Sequence, residues 1–455
     1  MRTGTETIVA LATPPGVGAL AIVRLSGDGV REMTERLLGR KLQWVPQRAF
    51  FVRLREGERE IDDAVMTFWE GPRSYTGEDV LEICVHGNPK IVEQVIAAYL
   101  RQGARLALPG EFTRRALQAG KLGLTQVEGL GDLFSASTER ELANARSLLR
   151  GDLAKEMEAM REKLIEVLAQ LEAYIDFPEE DIDPPTYGMM RERLNAVIER
   201  VERLLAGAKM GRVVRDGISA VIVGRPNVGK SSLFNLLLQE RRAIVSHRPG
   251  TTRDVIDAEC VIGDIRMRLL DTAGIREEAD EIEAEGISRT KEAWDQAQLI
   301  LHVMAADEDP ELDKIVTAQL KLRPDQRLLR VLNKTDLEWH PRRTYPDYQH
   351  EFDCRISVAK HEGIESLGEK IKEIFISSQA AEASTLCLVN ARQTVCLENA
   401  KGFLSRAILG LEEKWPPEII SHEMRAALSE VDELLGVTDH EEVLDRIFSQ
   451  FCIGK

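Results

Sequence analysis

The stretch ISAVIVGRPNVGKSSLFNLLL, residues 218–238, decides how the chain is read. Its first six residues form a short, β-branched apolar run, and from Lys230 onward apolar residues recur with helical spacing. Between them, Gly224 to Ser231 follow the pattern G-x-x-x-x-G-K-S. Glycines let such a loop turn tightly, so that successive N–H groups face phosphate oxygens, and the following helix adds the positive end of its dipole. On this reading Asn227, Val228, Gly229, Lys230, Ser231 and Ser232 line a bound nucleotide. The Lys230 ammonium is placed for the β- and γ-phosphates and the Ser231 hydroxyl for Mg²⁺.

Two further stretches extend the pattern. RMRLLDTAG, residues 266–274, is an apolar strand that delivers Asp271, Thr272, Ala273 and Gly274; Asp271 is placed to hold Mg²⁺ through water and the Gly274 N–H to face the γ-phosphate. QRLLRVLNKTD, residues 326–336, ends in Asn333, Lys334, Thr335 and Asp336. A carboxylate at Asp336 accepts from guanine N1–H and N2–H₂ together, a donor pair that adenine lacks, which selects GTP over ATP. With the motifs in this order, residues 213–377 resemble a Ras-like GTPase domain, an α/β fold. Ser357, Val358 and Ala359 stand where that family has its last guanine-contacting loop. One departure matters: Ile275 follows the D-T-A-G motif, where Ras-type enzymes carry a glutamine that orients water. The sequence identifies no arginine finger, with Arg253 and Arg276 as candidates only.

The rest of the chain frames this insert. The 455 residues suggest two to four domains. A hydrophobic content of 43% with 30% charged residues suits a folded chain. No apolar run reaches the ~18 residues of a membrane span, and the N-terminus lacks the marks of a signal peptide. Six scattered cysteines without a C-x-x-C pair suit a reducing compartment. The net charge of −16 confines any nucleic-acid contact to a local patch or a partner. Residues 1–120 mix short strands with helices, as an α+β domain does. Leu153, Met157, Met160, Leu164, Val167 and Leu171 recur at helical spacing, as do Leu194, Val197, Val201 and Leu204. That texture stops near Met210 and returns after Ser378. The expected organisation is therefore an α+β domain over 1–120 and an all-α helical domain over 121–212 and 378–455, split by the inserted α/β domain over 213–377.

Over nearly its whole length the chain is similar to the tRNA-modifying GTPases of the MnmE (TrmE) family. The segments that carry the likeness are TIVALATPPGVGALAIVRLSG (7–27), SYTGEDVLEICVHGNP (74–89), LPGEFTRRALQAGKLGLTQVEGL (108–130), PGTTRD (249–254) and the terminal FCIGK (451–455). The resemblance implies a cytoplasmic, K⁺-activated GTPase that forms a homodimer through residues 1–120. It implies a heterotetramer with an FAD-containing partner that modifies C5 of wobble uridine in tRNA, with an aminomethyl or carboxymethylaminomethyl product. The one-carbon unit comes from 5,10-methylenetetrahydrofolate or 5-formyltetrahydrofolate. By the same resemblance, Asn227, Ser246, Arg248 and Thr251 hold K⁺ and the loop Ser246, His247, Arg248, Pro249, Gly250, Thr251 closes over it, while Thr252 reaches Mg²⁺. Glu283 orients the attacking water, although by composition alone it is one more solvated acid in the run REEADEIEAEG. Arg24, Glu82, Lys121 and Lys455 are the folate contacts the resemblance implies, and it places Cys452 in the modification chemistry.

The tail Cys452-Ile453-Gly454-Lys455 also invites a prenyl-anchor reading, against which Gly454 is not aliphatic and Lys455 is not a usual final residue. The alternative is an amphipathic helix over EEVLDRIFSQFCIGK, docking Val443, Leu444, Ile447, Phe448 and Phe451, ended by Gly454, and delivering Cys452 to a fixed place. A competing function is a regulatory or ribosome-assembly GTPase; the N-terminal α+β domain and the CIGK tail separate the two.

Overall fold

The computed structural model describes residues 6–176, 187–240, 258–270, 294–348, 351–376, 389–437, 441–449 and 451–454. Two compact units emerge. One comprises Met1–Gly131, Leu148–Glu158 and Asp432–Lys455, the other Asp132–Ser147 and Ala159–Val431.

The first unit is built on the sheet β3-β4-β5-β2-β1-β6, from β1 (Ile8–Leu11), β2 (Leu20–Ser26), β3 (Ala49–Glu56), β4 (Arg59–Trp69), β5 (Val80–His86) and β6 (Arg105–Leu106). Side chains alternate across it. Val23, Leu25, Met66, Phe68, Leu81 and Ile83 are fully buried together with Val95 and Tyr99 of α2 (Pro89–Arg101). Each such side chain contributes roughly 1.5–3 kcal/mol of burial. Helix α1 (Val30–Leu38) stops at Gly39, whose φ of 64° is the left-handed C-cap conformation. Arg24 and Glu82 point to the opposite side of the sheet, and α3 (Glu111–Gln118) follows β6.

The helices α4 (Leu124–Ser135), α5 (Glu139–Leu149), α6 (Asp152–Asp176) and α7 (Tyr187–Asp216) come next. The periodic residues from Leu153 to Leu171 and from Leu194 to Leu204 are at most 1% exposed. Helix α7 does not stop at residue 212, where the sequence suggested a boundary. Val213 and Val214 continue its apolar stripe to Asp216, and Gly217 (φ 72°) ends it.

The insert has the sheet order β12-β11-β10-β7-β9-β8. Its strands are β7 (Ile218–Val223), β8 (Ala258–Ile262), β9 (Ile265–Leu269), β10 (Leu299–Ala305), β11 (Arg327–Asn333) and β12 (Cys354–Arg355). All pairings are parallel except β8 with β9. Every residue of β10 is buried, as a central strand covered on both faces requires. Helices α8 (Lys230–Glu240) and α9 (Pro310–Gln319) connect strands, and α10 (Ile364–Phe375) follows the last strand. The strand order reverses between β7 and β10, which opens a crevice at the carboxyl ends of the strands.

The helical texture then resumes with α11 (Ala391–Glu413), α12 (Pro417–Leu435) and α13 (Glu441–Phe448). Helix α11 packs along α7, tied by Arg191–Glu412 and Lys401–Glu202 ion pairs, so the elements on either side of the insert meet. The insert also grips the α4–α5 connection. Arg266 of β9 donates to Glu141 at 2.9 and 3.1 Å, to the Ser135 carbonyl at 2.7 Å and to the Ser137 hydroxyl at 3.1 Å. The two charged side chains are 19% and 6% exposed. Arg266→Met leaves Glu141 only the Ser137 and Thr138 N–H groups and the Ser137 hydroxyl, and urea unfolding of the full chain should lose about 2 kcal/mol; an unchanged midpoint would show that the grip is idle. Among the described residues no helix is long and apolar enough to cross a membrane.

Candidate functional site

The loop after β7 can only be built with glycine at its two ends. Gly224 has φ 151°, and a Cβ there would lie 2.3 Å from the Val303 carbonyl oxygen of β10. Gly229 has φ 99°, and a Cβ there would lie 2.2 Å from the Asn333 side-chain nitrogen. Asn227 takes the left-handed conformation at φ 63°, which asparagine tolerates better than most residues. Lys230 opens α8, and its ammonium donates to the Arg225 carbonyl at 2.7 Å. Ser231 and Ser232 follow in the first turn of that helix.

Asn333, 2% exposed at the end of β11, joins three loops. Its side-chain nitrogen donates to the Val228 carbonyl at 2.9 Å, and its side-chain oxygen accepts from the Val358 N–H at 3.1 Å. The glycine at 229 is what lets this asparagine approach. Asp336 accepts from the Ser357 hydroxyl at 2.6 Å, and this bond holds its carboxyl below the usual carboxylate range, hence ionised at neutral pH. Lys334 pairs with Asp307 at 3.5 Å. The structure thus gathers Asn227, Val228, Gly229, Lys230, Ser231, Ser232, Asn333, Lys334, Asp336, Ser357, Val358 and Ala359 at the carboxyl ends of β7, β11 and β12. Ser246, His247, Arg248, Pro249, Gly250, Thr251, Thr252, Asp271, Thr272, Ala273, Gly274, Ile275 and Glu283 lie outside the described residues.

A second cluster lies in the first unit. Arg24 and Glu82 are register partners on β2 and β5 and form an ion pair at 2.7 Å. The guanidinium also sits 5.9 Å from the centre of the Tyr75 ring and 5.8 Å from that of Phe112. It donates to the Gly454 carbonyl at 3.4 Å. Lys121 lies beside Gly77 in the Tyr75 loop, and Lys455 is outside the described residues. Behind this cluster Glu111 accepts from Arg105, the Leu108 N–H and Arg115. Burial works to raise its carboxyl, but these bonds prevail and hold it down to about 2.

The tail departs from the helix expected of it. α13 ends at Phe448, and Ile453 instead forms an antiparallel bridge with Pro109. Gly454 does not end a helix. It has φ 99°, and a Cβ there would lie 2.0 Å from the Leu11 carbonyl oxygen of β1. The helical period could not reveal this, because pairing to Pro109 is a backbone contact across the sequence. Phe448 and Phe451 pack together over Gly110, where a Cβ would meet Phe448 at 2.7 Å. Cys452 is exposed, with its carbonyl 3.5 Å from the Gly110 N–H. Sequence reasoning also missed Tyr75 and Phe112 around Arg24, and Glu308, which binds Arg225 at 2.6 Å. The acidic run after β10 was the available signal for the last.

A phosphate loop, an N-K-T-D loop and a third loop joined at the crevice of a doubly wound sheet define a Ras-like GTPase, here inserted between helices and preceded by an α+β domain. The family model described as "MnmE helical domain" matches residues 124–452, and "GTP-binding protein TrmE N-terminus" matches residues 7–121. Among curated proteins, "tRNA modification GTPase MnmE" of Thermotoga petrophila is 40% identical, covering 99% of this chain and 100% of the relative. The protein of that name from Aquifex aeolicus is 41% identical with the same coverage. The G domain of the T. maritima FeoB iron transporter overlays 34% of this chain and 97% of its own at 20% identity, with a TM-score of 0.24. The chain belongs to the MnmE family of tRNA modification GTPases.

Proposed function

We propose that this chain hydrolyses GTP in the service of tRNA modification, as a K⁺-activated enzyme. It works as a homodimer with an FAD-containing partner to install an aminomethyl or carboxymethylaminomethyl group at C5 of wobble uridine. The observation that carries the GTP reading is the Asn333 side chain, which ties the phosphate loop to both guanine loops. Gly224 and Gly229 let the loop pack against the Val303 carbonyl and the Asn333 side chain, which holds it in the tight turn a phosphate loop needs. Lys230 balances charge on the β- and γ-phosphates, and Asp336, held ionised by Ser357, accepts from the guanine edge.

Bound Mg²⁺ neutralises charge on the phosphates, with Ser231, Thr252 and Asp271 to hold it. Carbonyl and hydroxyl oxygens of Asn227, Ser246, Arg248 and Thr251 make the oxygen-rich set that suits K⁺, and Asn227 holds a left-handed backbone conformation in the phosphate loop. Glu283 orients the attacking water in place of the glutamine that Ile275 replaces. In the first unit the Arg24–Glu82 pair offers a cation and a carboxylate beside aromatic rings, which matches a reduced folate with its pterin edge and anionic tail. Lys121 and Lys455 supply further cations, and Cys452 sits in the same tail. The outer sheet face supports the dimer. Phe51, Val65, Cys84 and Ile22 fall in one row by strand register, with Phe51 60% and Val65 43% exposed.

Replacing Na⁺ by K⁺ at constant ionic strength should raise kcat for GTP about tenfold or more. Equal rates in the two salts would remove the K⁺ reading. Binding of a reduced folate by the purified chain separates the modification enzyme from a regulatory GTPase, which has no use for that ligand.

A further inference from the structure

The segment between β10 and α9 carries Asp307 and Glu308, and the two carboxylates reach different parts of the nucleotide site. Asp307 pairs with Lys334 of the guanine loop at 3.5 Å, and Glu308 pairs with Arg225 of the phosphate loop at 2.6 Å. The backbone of the same segment is held from both sides. The Ala306 N–H donates to the Asn333 carbonyl at 2.9 Å, and the Ala306 carbonyl accepts from the His340 N–H at 2.9 Å. The Glu308 carbonyl accepts from Arg343 Nε at 3.1 Å. Arg343 is 1% exposed and is itself locked by Asp313 of α9, 3% exposed. A fully buried ion pair thus stands directly behind the residue that grips the phosphate loop. Arg225 also gives its own carbonyl to the Lys230 ammonium, so its placement fixes the lysine at rest.

We propose that Glu308 is a positioning residue of the GTP site, a strut from the buried Arg343–Asp313 pair to Arg225 that holds the phosphate loop at a set distance from the guanine loop. The inference rests on the assignment of Gly224–Ser231 as the phosphate loop. Loop N–H groups that already converge lose less entropy when phosphate binds. The strut acts equally on the ground state and the transition state, because it touches neither the γ-phosphate nor water. Its loss therefore raises KM and leaves kcat alone.

The test uses the full chain with Glu308→Gln, Arg225→Met and the double variant, in GTP hydrolysis and in GDP titration. Glu308 is a quarter exposed (25%), so the variants should fold, and a thermal melt of each monitors that. Glu308→Gln should raise KM for GTP and Kd for GDP about fivefold with kcat within about twofold, and the double variant should be no worse than either single one. Glu308→Asp, which keeps the charge, should recover part of the affinity. Unchanged KM, a fall in kcat instead, or additive single effects would overturn the strut. Lys230→Ala serves as the control: if it leaves GTP binding intact, the phosphate-loop assignment has failed rather than the strut.

Discussion

Asp336→Asn should weaken GTP about a hundredfold in kcat/KM and turn the enzyme toward xanthosine triphosphate. The Asp336 carboxylate accepts from the Ser357 hydroxyl and stays an ionised acceptor, with lone pairs left for two N–H donors at once. Guanine N1–H and N2–H₂ are such a pair. An amide in its place keeps one acceptor but turns an NH₂ group toward a donor edge, so one good bond becomes a clash of donors. Xanthine carries an oxygen where guanine carries its 2-amino group, and that oxygen accepts from the new amide. The fold should hold, because the asparagine side-chain oxygen still accepts from the Ser357 hydroxyl and Asn333 keeps its own ties to Val228 and Val358. The measurement is kcat/KM for both nucleotides on wild type and variant. A variant that still prefers GTP by the original margin would place guanine recognition elsewhere.

The parts of this site that were legible in the sequence are those whose chemistry fixes their spacing. G-x-x-x-x-G-K-S must turn through glycines at both ends, and the close approaches of Gly224 to Val303 and Gly229 to Asn333 give the reason in ångströms. The helical stripe from Leu153 to Leu171 was legible for a similar reason, since a buried face must repeat at the helical period. What the sequence hid are contacts between residues far apart in the chain. Arg225 and Glu308 are 83 residues apart, and Arg24 meets Glu82 across 58. Each charge, read in its own neighbourhood, is one more solvated side chain. The division of the chain was hidden in the same way. Residues 432–455 were expected with the helices after Ser378, but they cluster with the N-terminal sheet because Ile453 and Gly454 meet Pro109 and Leu11. Nothing in the local period of EEVLDRIFSQFCIGK announces those partners.

That backbone seat makes Gly454→Ala the most telling substitution for the modification reaction. The residue holds φ 99°, which costs an L side chain about 1–3 kcal/mol. A methyl group there would also lie 2.0 Å from the Leu11 carbonyl oxygen and 2.8 Å from its carbon. Leu11 yields little, because it is in register with Val23 of β2 and the next residue's N–H, Ala12, donates to the Ile22 carbonyl at 2.7 Å. Against this, residues 452–454 are held by one bridge to Pro109, a long Gly110 bond and the Arg24 donation to Gly454, while Phe448 and Phe451 hold only the segment before them over Gly110. The tail should therefore leave, taking the Gly454 carbonyl from Arg24 and Cys452 from its place beside Gly110. The nucleotide loops are built from other residues, so GTP hydrolysis should stay within about twofold, while modified wobble uridine in tRNA falls about a hundredfold from misplacement of the reacting groups. Cys452→Ser keeps the seat and removes only the thiol. If both variants lose modification and keep GTP hydrolysis, the thiol itself acts. If only Gly454→Ala does, the seat is needed to shape the pocket and the thiol is a bystander. Normal modified uridine in a Gly454→Ala strain would show that the reaction does not use the docked tail at all.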